Sequence, residues 1–148
     1  MMPRAAIVTV SDRASRGEYE DKGGPGCEDW LRGVVTTPLS ITRHIIPDGR
    51  ESVASMVRQL VSEEAALILV TGGTGPAPRD ETPEGVAQVI EKELAGFGEE
   101  MRRAFAVRRA VSFSCASSQV RRISAILRCS GSGGSKIGSF SSACFVSL

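Results

Sequence analysis

A buried-strand pattern that ends in glycines is the feature that most constrains the fold of this chain. The apolar run of residues 65–70 stops abruptly at the turn Thr71-Gly72-Gly73-Thr74-Gly75, and an amphipathic segment opens at Thr82-Pro83-Glu84. The order strand, glycine-rich turn, polar loop and helix is typical of α/β proteins. Because glycine has no Cβ, the backbone N–H groups of such a turn can approach an anion closely. We therefore expect an anionic substrate at this turn.

The remainder of the first hundred residues alternates strand and helix patterns. The pattern predicts strands over residues 5–10 and 39–46. It predicts helices that begin near Pro25 and at Thr82, and helices over residues 51–64 and 99–109. In the helix that begins at Thr82, this residue is the expected N-cap and Pro83 takes the first helical position. The predicted core faces are Cys27, Trp30, Leu31, Val34 and Val35; Val53, Met56, Val57, Leu60 and Val61; and Val86, Val89, Ile90 and Leu94. This alternation predicts an α/β fold, a three-layer sandwich with a mainly parallel sheet.

Polar loops follow three of the predicted strands. Ligands of such folds bind beyond the carboxyl ends of the strands, so the loops should bring Asp12, Asp48 and Asp80 toward one rim. Taken alone, Asp12 and Asp48 are equally well explained as turn residues that accept local backbone N–H bonds. Together with a phosphate-binding turn, carboxylates of this kind would suit Mg²⁺, which favours carboxylate oxygens, water and substrate phosphates.

Composition excludes several classes of protein. The 148 residues are enough for one domain with a core, and no apolar run approaches the ~18 residues of a membrane span. The start of the chain lacks the pattern of a signal peptide, so we expect a cytoplasmic protein. The four cysteines lack metal-ligand spacing and are expected to be reduced thiols. The single histidine, His44, alternates with apolar neighbours and is interpreted as structural.

The last third of the chain differs in charge from the remainder. All seventeen acidic residues lie at or before Glu100, whereas eight of the eighteen basic residues follow it. A basic arm for nucleic acid is one interpretation, but the segment lacks the interleaved aromatic residues that stack on bases. We expect no nucleic-acid binding.

Four stretches of the chain carry a family resemblance: residues 8–25, which include Ser-Asp-Arg-Ala-Ser, the tripeptide 46–48, the loop 71–83 with Gly-Gly-Thr-Gly-Pro-x-x-Arg-Asp-x-Thr-Pro, and residues 96–102. In these stretches the chain resembles the molybdopterin adenylyltransferase family of molybdenum-cofactor biosynthesis. These motifs cover residues 5–103 almost without a gap. The resemblance implies a fold like the molybdopterin-binding domain.

The resemblance also implies a reaction, in which AMP passes from ATP to the terminal phosphate of molybdopterin and pyrophosphate is released. It implies Mg²⁺ as the metal, a homotrimer, and a molybdenum-inserting enzyme as the downstream partner. Asp48 and Asp80 match the two functional aspartates of the family and are the expected catalytic and metal-binding residues. The residues expected to bind substrate are Ser11, Asp12, Thr71, Gly72, Gly73, Thr74, Gly75, Arg79, Ser118 and Lys136.

The family pattern degrades after residue 103. Ser118 stands in a Ser-Ser-Gln-Val fragment, residues 125–128 form a short apolar strand pattern, and Lys136 follows a glycine- and serine-rich run. Residues 110–148 are therefore atypical, basic and serine-rich within a single domain of residues 1–148. Either this segment is a diverged second half with Lys136 near phosphate, or it is poorly ordered sequence that is not native to the family.

Two functions follow from these interpretations. The first is adenylyl transfer to molybdopterin. The second is a non-catalytic protein of the same fold that binds molybdopterin or acts as a scaffold, with the glycine-rich turn but without turnover. Release of pyrophosphate from Mg·ATP and molybdopterin separates the two.

Overall fold

A single sheet with helices on both faces organises the protein. The computed structural model describes residues 2–91, 93, 96, 99, 125–127 and 144–147. In chain order the elements are strand β1 (Arg4–Val10), helix α1 (Asp12–Ser15), helix α2 (Gly23–Val34), strand β2 (Ser40–Ile46), helix α3 (Arg50–Ser62), strand β3 (Leu67–Gly72), helix α4 (Thr82–Ala87), strand β4 (Ala125–Leu127) and strand β5 (Cys144–Ser147). The strand order across the sheet is β2-β1-β3-β5-β4.

The sheet is parallel except at one edge. Strand β1 pairs in parallel with β2 on one side and with β3 on the other, and β3 pairs in parallel with β5. Strand β4 is antiparallel to β5. Because β1 is central and covered on both faces, all of its residues after Arg4 are buried. The prediction of an α/β sandwich with a mainly parallel sheet is confirmed.

Two apolar clusters hold the layers together, one on each face of the sheet. On the first face, Val53, Val57 and Leu60 of α3 and Val86 of α4 pack against alternate residues of β1 and β3. On the second face, Leu31 of α2 packs against the other set of residues from the same strands. The predicted stripe of α3 is confirmed, since Val53, Val57 and Leu60 are buried and Met56 and Val61 pack beside them.

The predicted face of α2 is partly wrong. Cys27, Leu31 and Val35 lie against the sheet, but the side chains of Trp30 and Val34 are 59% and 53% exposed. Trp30 lies about 100° around the helix from Leu31, and this rotation directs it away from the strands. Val34 is the last residue of the helix, where the sheet no longer covers that face.

The boundaries of the elements lie close to those predicted. Helix α2 begins at Gly23, so its predicted start near Pro25 is confirmed, with Pro25 in the first turn. Strand β3 extends through Thr71 to Gly72, so the first glycine of the turn is still part of the strand. The strand predicted near residue 125 is present as β4. The predicted helix over residues 99–109 and the predicted core residue Leu94 lie outside the described residues, apart from position 99.

Among the residues that the structure describes, no helix has the length and apolar content needed to cross a membrane.

Candidate active site

The carboxyl ends of three neighbouring strands meet at one edge of the sheet. In the pairing register, Val10 of β1 stands opposite Ile46 of β2 on one side and opposite Gly72 of β3 on the other. The chain crosses over between β2 and β3, so the strand order reverses beside β1, and open α/β sheets bind ligands at such a point. The loops that carry Asp12, Asp48 and Asp80 all leave from this edge, as predicted.

Asp12 and Asp48 tie two of these loops together. The backbone N–H of Asp12 donates to Asp48 Oδ2 at 2.9 Å, and the backbone N–H of Asp48 donates to Asp12 Oδ1 at 3.1 Å. Ser11 adds a third link, because its N–H donates to the Ile46 carbonyl at 2.9 Å. Both aspartates accept backbone N–H bonds, as considered above, but from each other's loop and not from their own turn. Asp48 Oδ1 takes no part in this pair of bonds.

The glycine-rich turn is pressed against β1 and Asp48. Gly72 and Gly73 have φ angles of +91° and +60°, a region that disfavours residues with a Cβ. A Cβ on Gly72 would collide with the Val10 carbonyl oxygen, and a Cβ on Gly73 would lie 3.2 Å from Asp48 Oδ1. The sequence therefore needs glycine at both positions for the turn to come this close to the aspartate.

Asp80 organises the loop that follows the turn. Its Oδ2 accepts the Ala77 N–H at 3.1 Å, and its own N–H donates to the Ala77 carbonyl at 2.9 Å. Gly75 must lack a Cβ for the Asp80 carboxylate to take this position. Asp80 thus has one oxygen committed to the loop, in the same way that Asp48 has one oxygen committed to Asp12.

Arg79 connects this loop to the one after β1. Its Nε lies 4.0 Å from Asp12 Oδ2, and its side chain is 67% exposed. In so exposed a pair the attraction is weak, so the guanidinium is available to a second anion. Thr71 and Thr74 are both half-buried at the turn, and their binding roles stay predictions.

Thr82 corrects one prediction. It is the first residue of α4 and not its N-cap, which is Glu81, and no side chain caps this helix. The Thr82 N–H donates to the Gly73 carbonyl at 3.1 Å. Its side chain is fully buried, and its hydroxyl lies against the glycine turn.

Asp21 is a residue of this edge that the sequence analysis did not single out. Its Oδ1 accepts the N–H groups of Gly23 and Gly24 at 3.0 Å each, and its Oδ2 accepts the Thr9 hydroxyl at 3.0 Å. The first turn of α2 is thereby fixed beside Thr71, whose Cγ2 would lie 3.4 Å from a Cβ on Gly23. An aspartate just ahead of a predicted helix is a helix-start signal, and the order Asp21-Lys22-Gly23-Gly24-Pro25 would have pointed to these bonds.

The same carboxylate affects the nearby thiol. Burial raises the pKa of Cys27, and the Asp21 charge raises it further. Cys27 is a free cysteine, as predicted, and its thiol favours the neutral form.

The carboxylates at this edge fit a cation that takes some of its ligands from the protein and the remainder from a substrate. Among the described residues, no three His, Cys, Asp or Glu side chains come close enough to form a metal site from protein ligands alone. Asp48 and Asp80 each keep one carboxylate oxygen outside the hydrogen bonds that hold the loops. Mg²⁺ is commonly bound by one or two carboxylates with substrate phosphates and water, so these residues fit it. Ser118 and Lys136, the two remaining predicted residues, lie outside the described residues.

The chain matches a known family and several characterised proteins. Residues 6–136 match the family described as probable molybdopterin binding domain. The chain is 46% identical over 101 residues to a molybdopterin adenylyltransferase of Escherichia coli K12, an alignment that covers 68% of this chain and 52% of that protein. It is 42% identical over 101 residues to a molybdopterin adenylyltransferase of Haemophilus influenzae, covering 68% and 51%. The chain thus spans about half the length of the curated relatives it matches.

Solved structures show the same fold. The molybdopterin biosynthesis enzyme MoaB of Thermus thermophilus superposes with a TM-score of 0.72 at 27% identity, covering 99% of this chain and 80% of that one. The tungsten cofactor synthesizing protein MoaB of Pyrococcus furiosus gives 0.72 at 26% identity, covering 99% and 81%.

Proposed function

We propose that this chain, which belongs to the molybdopterin-binding domain family, transfers an adenylyl group from ATP to the terminal phosphate of molybdopterin. Two relatives with this activity in their names are more than 40% identical to this chain over 101 residues. The observation that supports the proposal is the approach of Asp48 Oδ1 to the glycine turn, where it lies 3.2 Å from the position that a Cβ on Gly73 would take. A carboxylate would then stand beside backbone N–H groups that suit phosphate.

The reaction needs alignment and charge neutralisation and does not need a strong base. A phosphate monoester loses its second proton with a pKa of about 6, so the acceptor oxygen of molybdopterin is already an anion near neutral pH. This oxygen attacks the α-phosphorus of ATP, the bond to the bridging oxygen of the β-phosphate breaks, and pyrophosphate leaves. The single histidine of the chain, His44, lies on β2 with its Nε2 3.3 Å from Thr42 Oγ1, and it is not required.

Each residue of the edge has a specific role in this proposal. The N–H groups of the 72–75 turn donate to phosphate oxygens, and Arg79 adds positive charge from the exposed side of the loop. Asp48 and Asp80 would hold Mg²⁺ with the oxygens that the loops do not use. Bound there, Mg²⁺ would offset the charge of the ATP phosphates. Asp12 keeps Asp48 in place.

Asp80→Asn tests the proposal. The amide keeps an oxygen for the Ala77 N–H, so the loop is preserved, but the negative charge is lost. We expect pyrophosphate release from Mg·ATP and molybdopterin to fall about 100-fold or more, with an unchanged circular dichroism spectrum and melting temperature. Asp29→Asn, at an exposed position of α2, is the matched control and should keep full activity.

Two results would contradict the assignment. Turnover of Asp80→Asn close to that of the unaltered protein would remove Asp80 from the site. Binding of molybdopterin by the unaltered protein with no pyrophosphate release would replace the transferase with a scaffold that binds the pterin.

We further propose that the protein works as a homotrimer in the cytoplasm and passes its product to a molybdenum-inserting enzyme, without nucleic acid as a partner. The family resemblance supports the trimer and the downstream partner. The mean hydropathy of −0.02 and the net charge of +1 support a protein that stays in solution without a polyanion. Light scattering coupled to size exclusion measures the trimer directly.

A further inference from the structure

The part of the chain that the structure describes contains two buried threonines with very different surroundings. Thr9 is 8% exposed, and its hydroxyl donates to Asp21 Oδ2 at 3.0 Å. Thr82 is 0% exposed, and its hydroxyl oxygen has no hydrogen-bond partner among the described residues. A buried hydroxyl without a partner lowers stability, and native proteins contain few of them. The Thr82 hydroxyl therefore needs an explanation.

The Thr82 hydroxyl faces the glycine turn at the place where Asp48 also approaches it. A Cβ on Gly73 would collide with Thr82 Oγ1, and it would lie 3.2 Å from Asp48 Oδ1 and 3.1 Å from Val10 Cγ1. The hydroxyl and the free carboxylate oxygen thus flank the same face of Gly73. The third neighbour of this face is a methyl group, which cannot accept a hydrogen bond.

The surrounding backbone keeps the hydroxyl in this position. The Thr82 N–H is bound to the Gly73 carbonyl at 3.1 Å, and Pro83 follows as the next residue of α4. Full burial keeps the hydroxyl out of contact with bulk solvent. Asp48 Oδ2 is already bound to the Asp12 N–H, so Asp48 Oδ1 is the acceptor with capacity to spare.

We propose that Thr82 is a positioning residue, whose hydroxyl donates to Asp48 Oδ1 when Mg·ATP occupies the site. This inference rests on the proposed function. In the free protein the unpaired hydroxyl is destabilising, and in the loaded protein the new bond fixes the orientation of the Asp48 carboxylate. A hydrogen bond that forms in only one state shifts the equilibrium toward that state. Thr82 therefore favours the form of the protein that has Mg·ATP bound.

Thr82→Val is the informative variant, because valine has the shape of threonine without the hydroxyl. We expect the melting temperature of the free protein to rise by about 2–6 °C, since the unpaired group is removed. We expect the dissociation constant for Mg·ATP, measured by calorimetry, to increase about ten-fold or more. Thr82→Ser keeps the hydroxyl and should bind Mg·ATP as the unaltered protein does.

Two further variants show whether the effect passes through Asp48. Thr9→Val removes a hydroxyl that has a partner, so the same substitution should lower the melting temperature. In an Asp48→Asn background, Thr82→Val should cause no additional loss of Mg·ATP affinity, since two residues that act together are not additive.

The outcomes separate the two proposals. If the unaltered protein does not bind Mg·ATP, the proposed function and this inference both fail. If it binds and Thr82→Val binds equally well, only the role of Thr82 fails. A lower melting temperature for the free Thr82→Val protein would also overturn the inference, because it would show that the hydroxyl already has a partner in the free state.

Discussion

Gly72 marks the point at which β3 becomes the glycine-rich turn. Its backbone, at φ +91°, passes so close to β1 that a side chain would meet the Val10 carbonyl oxygen. The cost of placing a Cβ there combines backbone strain with a steric clash. The position of the turn relative to Asp48 therefore depends on the absence of one methyl group.

Gly72→Ala should destabilise the protein by about 2–4 kcal/mol. Gly33 is the matched control, because it lies in α2 and no atom of the described residues stands within 4 Å of where its Cβ would be. Gly33→Ala should stabilise the protein by about 0.5–1 kcal/mol, since alanine favours helix. Urea denaturation measures the change in the free energy of unfolding for each variant. Equal changes in the two variants would contradict the predicted difference.

At this scale the sequence predicted Asp12, Asp48 and Asp80 at one rim, because strand ends are visible in a hydrophobic pattern. It did not predict the role of Thr82 or the contacts of Asp21. Thr82 has the residue type and spacing of an N-cap, but in the structure it is the first helical residue, with its side chain buried against Gly73. Whether a polar side chain has a partner depends on contacts between segments, and local spacing contains no information about them.

Helix α2 illustrates the same limit for whole elements. Five apolar residues at helical spacing predicted one broad buried face, but the sheet covers only the side that includes Leu31. The width of a buried stripe is set by how the helix lies on its sheet, and the sequence of the helix alone does not fix that orientation. Helix α3 has apolar residues at the same spacing, and it was predicted correctly because the core of its face of the sheet covers the whole stripe.

Leu31 and Trp30 should therefore respond very differently to truncation. Leu31→Ala removes a side chain that is 2% exposed and should cost about 2–5 kcal/mol. Trp30→Ala removes a larger side chain that is 59% exposed and should change stability by about 0.5 kcal/mol or less. Thermal denaturation of both variants measures this difference in stability. A large loss of stability for Trp30→Ala would show that the indole ring is covered.

At the scale of the whole molecule, a strand from the atypical segment 110–148 pairs with the outer side of β3. Strand β5 lies between β3 and β4, so the outer side of β3, which leads into the glycine turn, pairs with residues 144–147. The sequence indicated a strand at 125–128 but not β5, because an apolar run as short as residues 143–146 carries little signal. Whether residues 110–148 as a whole are native to the family stays a prediction.

Phe145→Pro tests this arrangement. Position 145 pairs with Ile68 on one side and Ile126 on the other, and proline in a central strand removes a backbone donor. We expect a lower melting temperature and faster hydrogen exchange at the amides of residues 67–72. Unchanged exchange in β3 would show that the segment contributes nothing to the sheet.

The position of β5 in the chain has a consequence for how the protein is made. Leu67 pairs with Cys144, so β3 leaves the ribosome long before its neighbour on that side is synthesised. At about 5–20 residues per second, this delay lasts roughly 4–15 s. During that interval the apolar outer edge of β3 is an unpaired strand that another nascent chain can join. Chaperones that cover the unpaired edge of β3 should therefore raise the yield of folded protein. We expect their supply to limit this yield more than the free energy of unfolding of the finished protein does.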